Sequence, residues 1–284
     1  MFVNILPVTV VVPVKNEEKN LAKCLSCLTG FAQVVVVDSE STDATTKIAR
    51  QMGVQVVSFR WNGQFPKKRN WYLRNYLVKT PWVLFIDADE YISDVFKEEL
   101  AQAITDTPYV GFWLRYQNHF LGKPLNHNDD FRKLALFRPE AGEYEYINDQ
   151  SWSGLDMEVH EHPILKGPTG TIKTLIRHED FKGMRAYIDR HNHYSSWEAR
   201  RYMSFLTENA KEWSTFIFRQ KIKYYLMDTW FLGPLFFIYS FFFKLGFLDG
   251  KRGFIFSLCK AMYFLQIKIK IEELRDISDL NDAK

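Results

Sequence analysis

The first third of the chain alternates between unbroken apolar runs and amphipathic stretches. Val8–Val14 is a β-branched run, and the pattern turns helical from about Glu18 to Leu28. Gln33–Val37 predicts a second strand, Thr42–Met52 a helix, Val54–Phe59 a third strand, Phe65–Val78 a helix and Trp82–Ile86 a fourth strand. Continuous Val/Ile runs belong to strands covered on both faces, as in a parallel sheet, whereas a half-exposed strand alternates. Strands and helices taking turns at this spacing predict right-handed βαβ units and a doubly wound α/β domain, a mostly parallel sheet flanked by helices.

After a helix predicted over Ser93–Ile104 the character changes. Tyr109–Asn118 and Phe131–Pro139 read as strands of a mixed or antiparallel extension, and Thr171–Ile176 as a further strand. Asn126–Asp130 and Glu140–Gly154 read as loops, where substrate contacts often sit. From Met184 to about Trp213 the pattern is helical and polar. Arg185, Arg190, His191, Tyr194, Arg200 and Arg201 make this stretch either a surface for an anionic acceptor or a solvated face.

Aromatic content climbs from Phe216 onward. Thr229–Phe243 carries no charge, but it is fifteen residues long and broken by Gly233-Pro234. At about 1.5 Å per residue it reaches about 22 Å, short of the roughly 30 Å hydrocarbon core of a bilayer. A simple transmembrane span is therefore disfavoured. An aromatic segment flanked by lysines and arginines fits an element lying on an anionic membrane leaflet. The alternative is a helical pair packed on the rest of the chain or on a second subunit.

Charge supports the surface reading. Net charge is only +3, too small to imply nucleic-acid binding, yet Lys211–Lys270 holds ten Lys/Arg against three acids. Three cysteines cannot form a disulfide framework, and Cys24-x-x-Cys27 falls inside a helical pattern, which reads as small core residues. Met1–Thr9 lacks a basic segment followed by a long apolar one, so no secretory signal is expected. The expected location is cytoplasmic, peripheral on the inner face of the cytoplasmic membrane.

Candidate chemistry lies where the strands end. The first strand runs into Lys15-Asn16-Glu17-Glu18, the second into Asp38-Ser39-Glu40-Ser41-Thr42-Asp43, and the fourth into Asp87-Ala88-Asp89-Glu90. All three junctions fall on the carboxyl edge of one parallel sheet, so they can converge on one ligand. Two aspartates one residue apart are hard oxygen ligands suited to Mg²⁺ or Mn²⁺ bridging a diphosphate. Asp38 is able to accept from a nucleobase imide or a ribose hydroxyl. No Gly-x-Gly-x-x-Gly or Gly-x-x-x-x-Gly-Lys-Ser/Thr loop occurs, so neither a nicotinamide site nor a P-loop is supported. A general base is to be sought in Asp156-Met157-Glu158-Val159-His160-Glu161-His162, and spacing alone does not choose among its members.

These motifs resemble glycosyltransferase family 2. The resemblance rests on Val8–Glu18 with Pro13, Asn16 and Glu17, on Val36-Val37-Asp38-Ser39-x-Ser41-Thr42-Asp43, on Lys68-Arg69-Asn70 and on Phe85–Glu90. Val159-His160-Glu161, Ile176-Arg177-His178 and Gly246-Phe247-Leu248-Asp249-Gly250 resemble the lipopolysaccharide-core glucosyltransferase-like branch. The resemblance implies a GT-A (Rossmann-like) fold over residues 1–182, with a nucleotide-sugar half (1–105) and an acceptor half (106–182). A helical, aromatic-rich, membrane-associating region would follow over 183–284. It implies that Pro13, Asn16 and Glu17 line the nucleotide pocket, Asp38 holds the base and Arg69 reaches the diphosphate. Asp87 and Asp89 would hold the metal, with His178 completing its shell, and Glu161 would be the base.

The implied activity is inverting, metal-dependent transfer from a nucleotide-diphosphate sugar, a UDP-hexose, to a lipid-linked or lipopolysaccharide-core saccharide. Two other readings compete with it: a polyprenyl-phosphate or capsular-polysaccharide sugar transferase, and a non-catalytic binding protein on the same scaffold.

Overall fold

The computed structural model describes residues 5–127, 131–149, 152–158, 162–180, 182–207 and 218–282. The central strand is β1 (Leu6–Val14), paired in parallel with β2 (Phe31–Asp38) on one side and β4 (Trp82–Phe85) on the other; β3 (Gln55–Ser58) extends the β2 side. Side chains alternate between the two faces of a strand, and both faces here are buried. Val8, Val10, Val12 and Val14 join one core cluster, whereas Val11 joins the other with Val35, Val37, Val83 and Phe85. Double burial is the physical reason why valines occupy both faces of the strand.

Helices α1 (Leu21–Cys27), α2 (Thr45–Gln51), α3 (Lys68–Asn75) and α4 (Asp94–Ile104) connect these strands. α1 and α2 each start three residues later than predicted, because the residues before them are tied to each other. Glu17 N–H donates to Thr45 Oγ1 (2.8 Å), Glu18 N–H to Asp43 (3.2 Å) and Ala44 N–H to the Glu18 carboxylate (3.0 Å). α4 begins as predicted: Ser93 Oγ accepts the Phe96 N–H at 3.2 Å, a side-chain cap. Phe96, Leu100 and Ile104, spaced by one turn, bury its inner stripe.

The second half supplies β5 (Glu90–Tyr91), β6 (Gly111–Phe120), β7 (Lys123–Pro124), β8 (Arg132–Phe137) and β11 (Thr169–His178). Among the described residues the sheet order is β3-β2-β1-β4-β8-β6-β11-β5, with β7 pairing off β6. β8 is antiparallel to β4 and β6, and β11 is parallel to β6, so β11 ends on the same edge as β1, β2 and β4. β11 is bulged between Ile172 and Leu175. The N–H groups of Lys173 and Thr174 at the bulge are taken by Glu99 of α4, both at 2.8 Å. One expected loop is partly strand. β9 (Gly142–Tyr144) pairs with β10 (Pro163–Leu165), and a Cβ on Gly142 would stand 2.0 Å from the Ile164 carbonyl oxygen, so only glycine admits that ladder.

The chain divides into two compact units, Met1–Asn118 with Asp130–Asp180, and His119–Asp129 with Phe181–Lys284. The second unit thus takes a hairpin that the sequence reading assigned to the acceptor half. It holds α5 (Met184–Thr207), α6 (Phe218–Met227), α7 (Leu232–Ile238), a π-helical turn (Tyr239–Phe243), a 3-10 turn (Gly246–Asp249) and α8 (Gly250–Asp282). Ala199, Tyr202, Met227, Leu232, Ile267 and Ile271 form its core. Asp228 binds Arg275 (2.7 and 2.8 Å) and Lys268 (3.0 Å). Asp249 is buried and accepts from the N–H groups of Asn126 (3.2 Å) and His127 (2.9 Å), and so pins the hairpin. Among the described residues no single helix is long and apolar enough to cross a membrane. One bent pair, Leu232–Phe243 with Gly246–Ile277 at 74°, passes by length and composition together.

Candidate active site

Strand order reverses between β1 and β4, and ligands of open α/β sheets bind beyond the carboxyl ends of the strands at such a point. Pro13 lies just beyond the end of the β1–β4 ladder. Ile86 N–H donates to Val11 O (3.1 Å), so odd-numbered β1 residues present their backbone groups to the β4 side. The β4 ladder ends at Val11, and the residue two further on is a proline with no N–H to leave stranded. Beyond it Asn16 is left-handed (φ 56°), a conformation asparagine tolerates better than most residues. The turn lets Asn16 Oδ1 accept Thr42 N–H (2.8 Å) while its own N–H donates to Ser41 Oγ (2.8 Å). Glu17, half-buried, accepts from Asn20 at 2.8 Å. Pro13, Asn16, Glu17 and Asp38 are thereby gathered at the ends of β1 and β2.

Asp38 is 5% exposed. One carboxylate oxygen accepts Ser41 N–H (3.1 Å), whereas the other is buried with no hydrogen-bond partner among the described residues, as is the neighbouring Ser39 hydroxyl. A buried, unanswered acceptor costs free energy unless something completes it.

Across the crevice, Asp87 is bound on both oxygens: Arg69 reaches Oδ1 (2.8 Å) and Lys133 reaches Oδ2 (2.6 Å). Lys133 also bonds the Glu90 carboxylate, whose other oxygen accepts Asp87 N–H (3.1 Å). Burial opposes charge at Asp87, but Lys133 and Arg69 outweigh it and hold the carboxyl well below the usual range. Burial pushes Glu90 up, and the charge of Asp87 adds to it. Arg69, expected on the diphosphate, is buried; besides Asp87 it bonds the carbonyl of Glu158 through its guanidinium. Lys133 went unassigned in the sequence reading. Its signal was a lysine in the Phe131–Pro139 run, immediately before the apolar stretch Leu134–Phe137.

Asp89 has a different environment. Burial, with the charge of Asp87 adding to it, pushes its carboxyl up to about 7. Its Oδ1 lies 3.6 Å from His178 Nε2. The two meet because β5, directly after Asp89, pairs antiparallel with the end of β11, Glu90 opposite His178, and because Glu179 N–H donates to Asp89 O (2.9 Å). His178 Nδ1 sits 2.5 Å from Asn118 Oδ1, so that nitrogen donates and Nε2 is turned to Asp89.

The expected base region is only partly described. Glu161, with Val159 and His160, lies outside the described residues. Glu158 is 2% exposed and caps α3: its two oxygens accept the N–H groups of Arg69 (2.9 Å) and Asn70 (3.1 Å). Asp156 faces the Lys68 ammonium at 3.5 Å, and Lys68 also donates to Val14 O (3.2 Å).

Among the described residues no three His, Cys, Asp or Glu side chains come together as a ligand set. Mg²⁺ and Mn²⁺ do not need one: one or two protein ligands plus waters and substrate phosphates suffice. Asp89 with His178 fits that requirement, since a buried carboxyl displaced upward in pKa is an anionic position short of compensating charge. Asp87, expected beside Asp89 on the metal, has each oxygen on a cationic side chain.

Comparison with known proteins bears on family and fold. An uncharacterized glycosyltransferase of Rickettsia typhi is 26% identical over 93% of this chain and 85% of its own length. The lipopolysaccharide core biosynthesis glycosyltransferase LpsC of Rhizobium meliloti is 25% identical over 94% and 92%. Among solved structures, the mannosyltransferase PcManGT from Pyrobaculum calidifontis, in complex with GDP-Man and Mn²⁺, covers 93% of this chain and 86% of its own at a TM-score of 0.54 and 15% identity. That likeness is one of fold, the GT-A arrangement of curled mixed sheet and flanking helices. The profile described as glycosyl transferase family 2 matches residues 9–162, more than half of the sequence, and the chain belongs to that family of glycosyltransferases.

Proposed function

We propose that the chain takes a hexose from a nucleotide-diphosphate donor, a UDP-hexose, and delivers it with inversion to a lipid-linked or lipopolysaccharide-core saccharide at a membrane surface. The observation that carries this reading is one sheet edge bearing both a buried Asp38 with an unanswered oxygen and the Asp89–His178 pair. The first suits a nucleobase or ribose donor group, the second a cation on the diphosphate.

In this reading Asp38 fixes the nucleoside. Asp89 and His178 would hold Mg²⁺ or Mn²⁺, which would neutralise charge on the departing diphosphate. Asp87 keeps Arg69 and Lys133 in place behind them. Glu161 takes the proton of the acceptor hydroxyl as its oxygen bonds to the anomeric carbon and the bond to the diphosphate breaks on the opposite face. Glu161 is favoured over its neighbours because Glu158 is spent on the α3 N-terminus and Asp156 on Lys68. The acceptor class is supported by likeness to the Rhizobium protein along nearly its whole length.

The test is a thermal-shift panel of UDP-, GDP- and dTDP-sugars with Mn²⁺, followed by NMR of the anomeric configuration of the product. A true donor raises Tm with the logarithm of its concentration. A panel in which no donor shifts Tm, or a product that retains configuration, sinks the proposal.

A further inference from the structure

The face of the second unit formed from Trp230 to Met262 is assigned no part in the donor chemistry. The arms Leu232–Phe243 and Gly246–Ile277 meet both through small residues and through rings. A Cβ on Gly233 would stand 2.8 Å from the Ala261 carbonyl oxygen, and Ser240 and Ser257 are buried against each other at 3.1 Å. Phe236 lies 4.8 Å from Phe264 and Phe237 5.7 Å from Phe254, ring centre to ring centre. Other large apolar side chains face out: Phe231 is 70% exposed, Phe243 75% and Leu248 55%. In water a helix pair buries its large apolar residues; close approach at small residues with large apolar side chains left outside is found for helices in lipid.

The break between the arms is closed by its own backbone, as hydrocarbon demands. Lys244 N–H donates to Tyr239 O (2.9 Å), Leu245 N–H to Phe242 O (3.3 Å) and Leu248 N–H to Leu245 O (2.9 Å). Charge points to the same partner. Between Thr229 and Ile271 the one acid is Asp249, buried on the hairpin, whereas Lys244, Lys251, Arg252 and Lys260 stay exposed or half-exposed. Lys244 lies 5.9 Å from the Tyr239 ring and Lys260 5.5 Å from that of Phe256, long stems lying along aromatic surface with the charged head at its margin. A protein partner needs about one hydrogen bond per 100–200 Å² of interface, and the exposed side chains from Phe242 to Leu248 offer only Lys244.

We infer that this face is a monotopic anchor: both arms lie within one leaflet, large apolar side chains in the acyl region, cations among anionic headgroups. The first arm, at about 1.5 Å per residue, reaches about 18 Å and cannot cross a core of roughly 30 Å. The inference deepens the proposed function and rests on its membrane-surface acceptor.

Flotation of the full chain with vesicles of phosphatidylcholine, alone or mixed with phosphatidylglycerol, tests it. The wild type is expected to float with the anionic vesicles and to do so less well at high salt. Combining Phe242→Ser, Phe243→Ser and Leu248→Ser should weaken binding at least about a hundredfold, with the donor-induced Tm shift in lipid-free buffer unchanged. If that variant misfolds, Lys244→Glu with Lys251→Glu carries the test, with a loss of about tenfold. A wild type that never floats overturns the inference, as do variants that float equally well. A lipid-free dimer that the serine variant converts to monomer overturns it too, since the face then belongs to a second copy. A chain that floats but whose Tm no nucleotide sugar shifts leaves the anchor standing and the proposed transfer refuted.

Discussion

Lys133 Nζ lies 2.6 Å from Oδ2 of Asp87, and the same ammonium bonds Glu90, so one lysine on β8 neutralises two carboxylates that follow β4. Removing it leaves Glu90 without its cation and Asp87 with Arg69 alone, and breaking a buried pair typically costs roughly 3–5 kcal/mol. Lys133→Met is expected to lower stability by that order and to reduce turnover through the displaced Asp87. Denaturant unfolding measures the first; a loss under about 1 kcal/mol would show that the pairs contribute little.

Glu158 and Glu161 are separable by experiment. Glu158→Gln retains one acceptor for the two N–H groups at the start of α3 and is expected to cost about 1–2 kcal/mol of stability. Glu161→Gln should leave Tm near wild type, bind donor and abolish transfer. Calorimetry and turnover of both variants decide the matter; full activity in Glu161→Gln would move the base elsewhere.

Asp38→Asn keeps an oxygen for Ser41 N–H but alters the group at the unanswered position. Nucleotide affinity is expected to fall by about 1.5–3 kcal/mol, the worth of a hydrogen bond to a charged group, with little change in the unliganded Tm. Titration calorimetry with UDP reads this directly.

Acid stability should depend on Asp228. Burial opposes its charge, but Arg275 and Lys268 prevail and hold the carboxyl down to about 2. Unfolded, it returns to about 3.9. The sign follows: with a depressed folded value, stabilisation is complete above about pH 4 and is lost as pH falls through about 2. Asp228→Asn should lower the neutral-pH Tm and flatten its decline between those values. An unchanged acid limb in a Tm-against-pH series would exclude this network as its cause.

The donor half was legible because its signals are local. Val8–Val14 is apolar at every position but Thr9 since both faces are covered, and Asp38 and Asp89 stand where such runs stop. What the sequence hid depends on distant pairing. Lys133 meets Asp87 only through the β4–β8 ladder, and Glu158 reads as a candidate base until its carboxylate is seen to cap the start of α3. Gly142 reads as loop because the strand it admits lies beside Pro163–Leu165. The resemblance pointed to His178, but its approach to Asp89 comes from β11 running beside β6 to reach β5. The aromatic C-terminal segment showed its composition at once, yet which side of each helix turns outward came only from the contacts between the arms, at Gly233 and Ser240 and between the rings of Phe236 and Phe264.

The late pairing of β5 with β11 also bears on synthesis. A chain that has left the ribosome only as far as β10 holds β1 to β4, yet Asp89 has no histidine and β5 no strand beside it. Contacts this far apart in sequence form slowly, after the loop between them has closed. The nascent protein therefore cannot bring His178 to Asp89 until nearly the whole first unit has been made, and a product truncated before β11 would lack the corner proposed above for the cation.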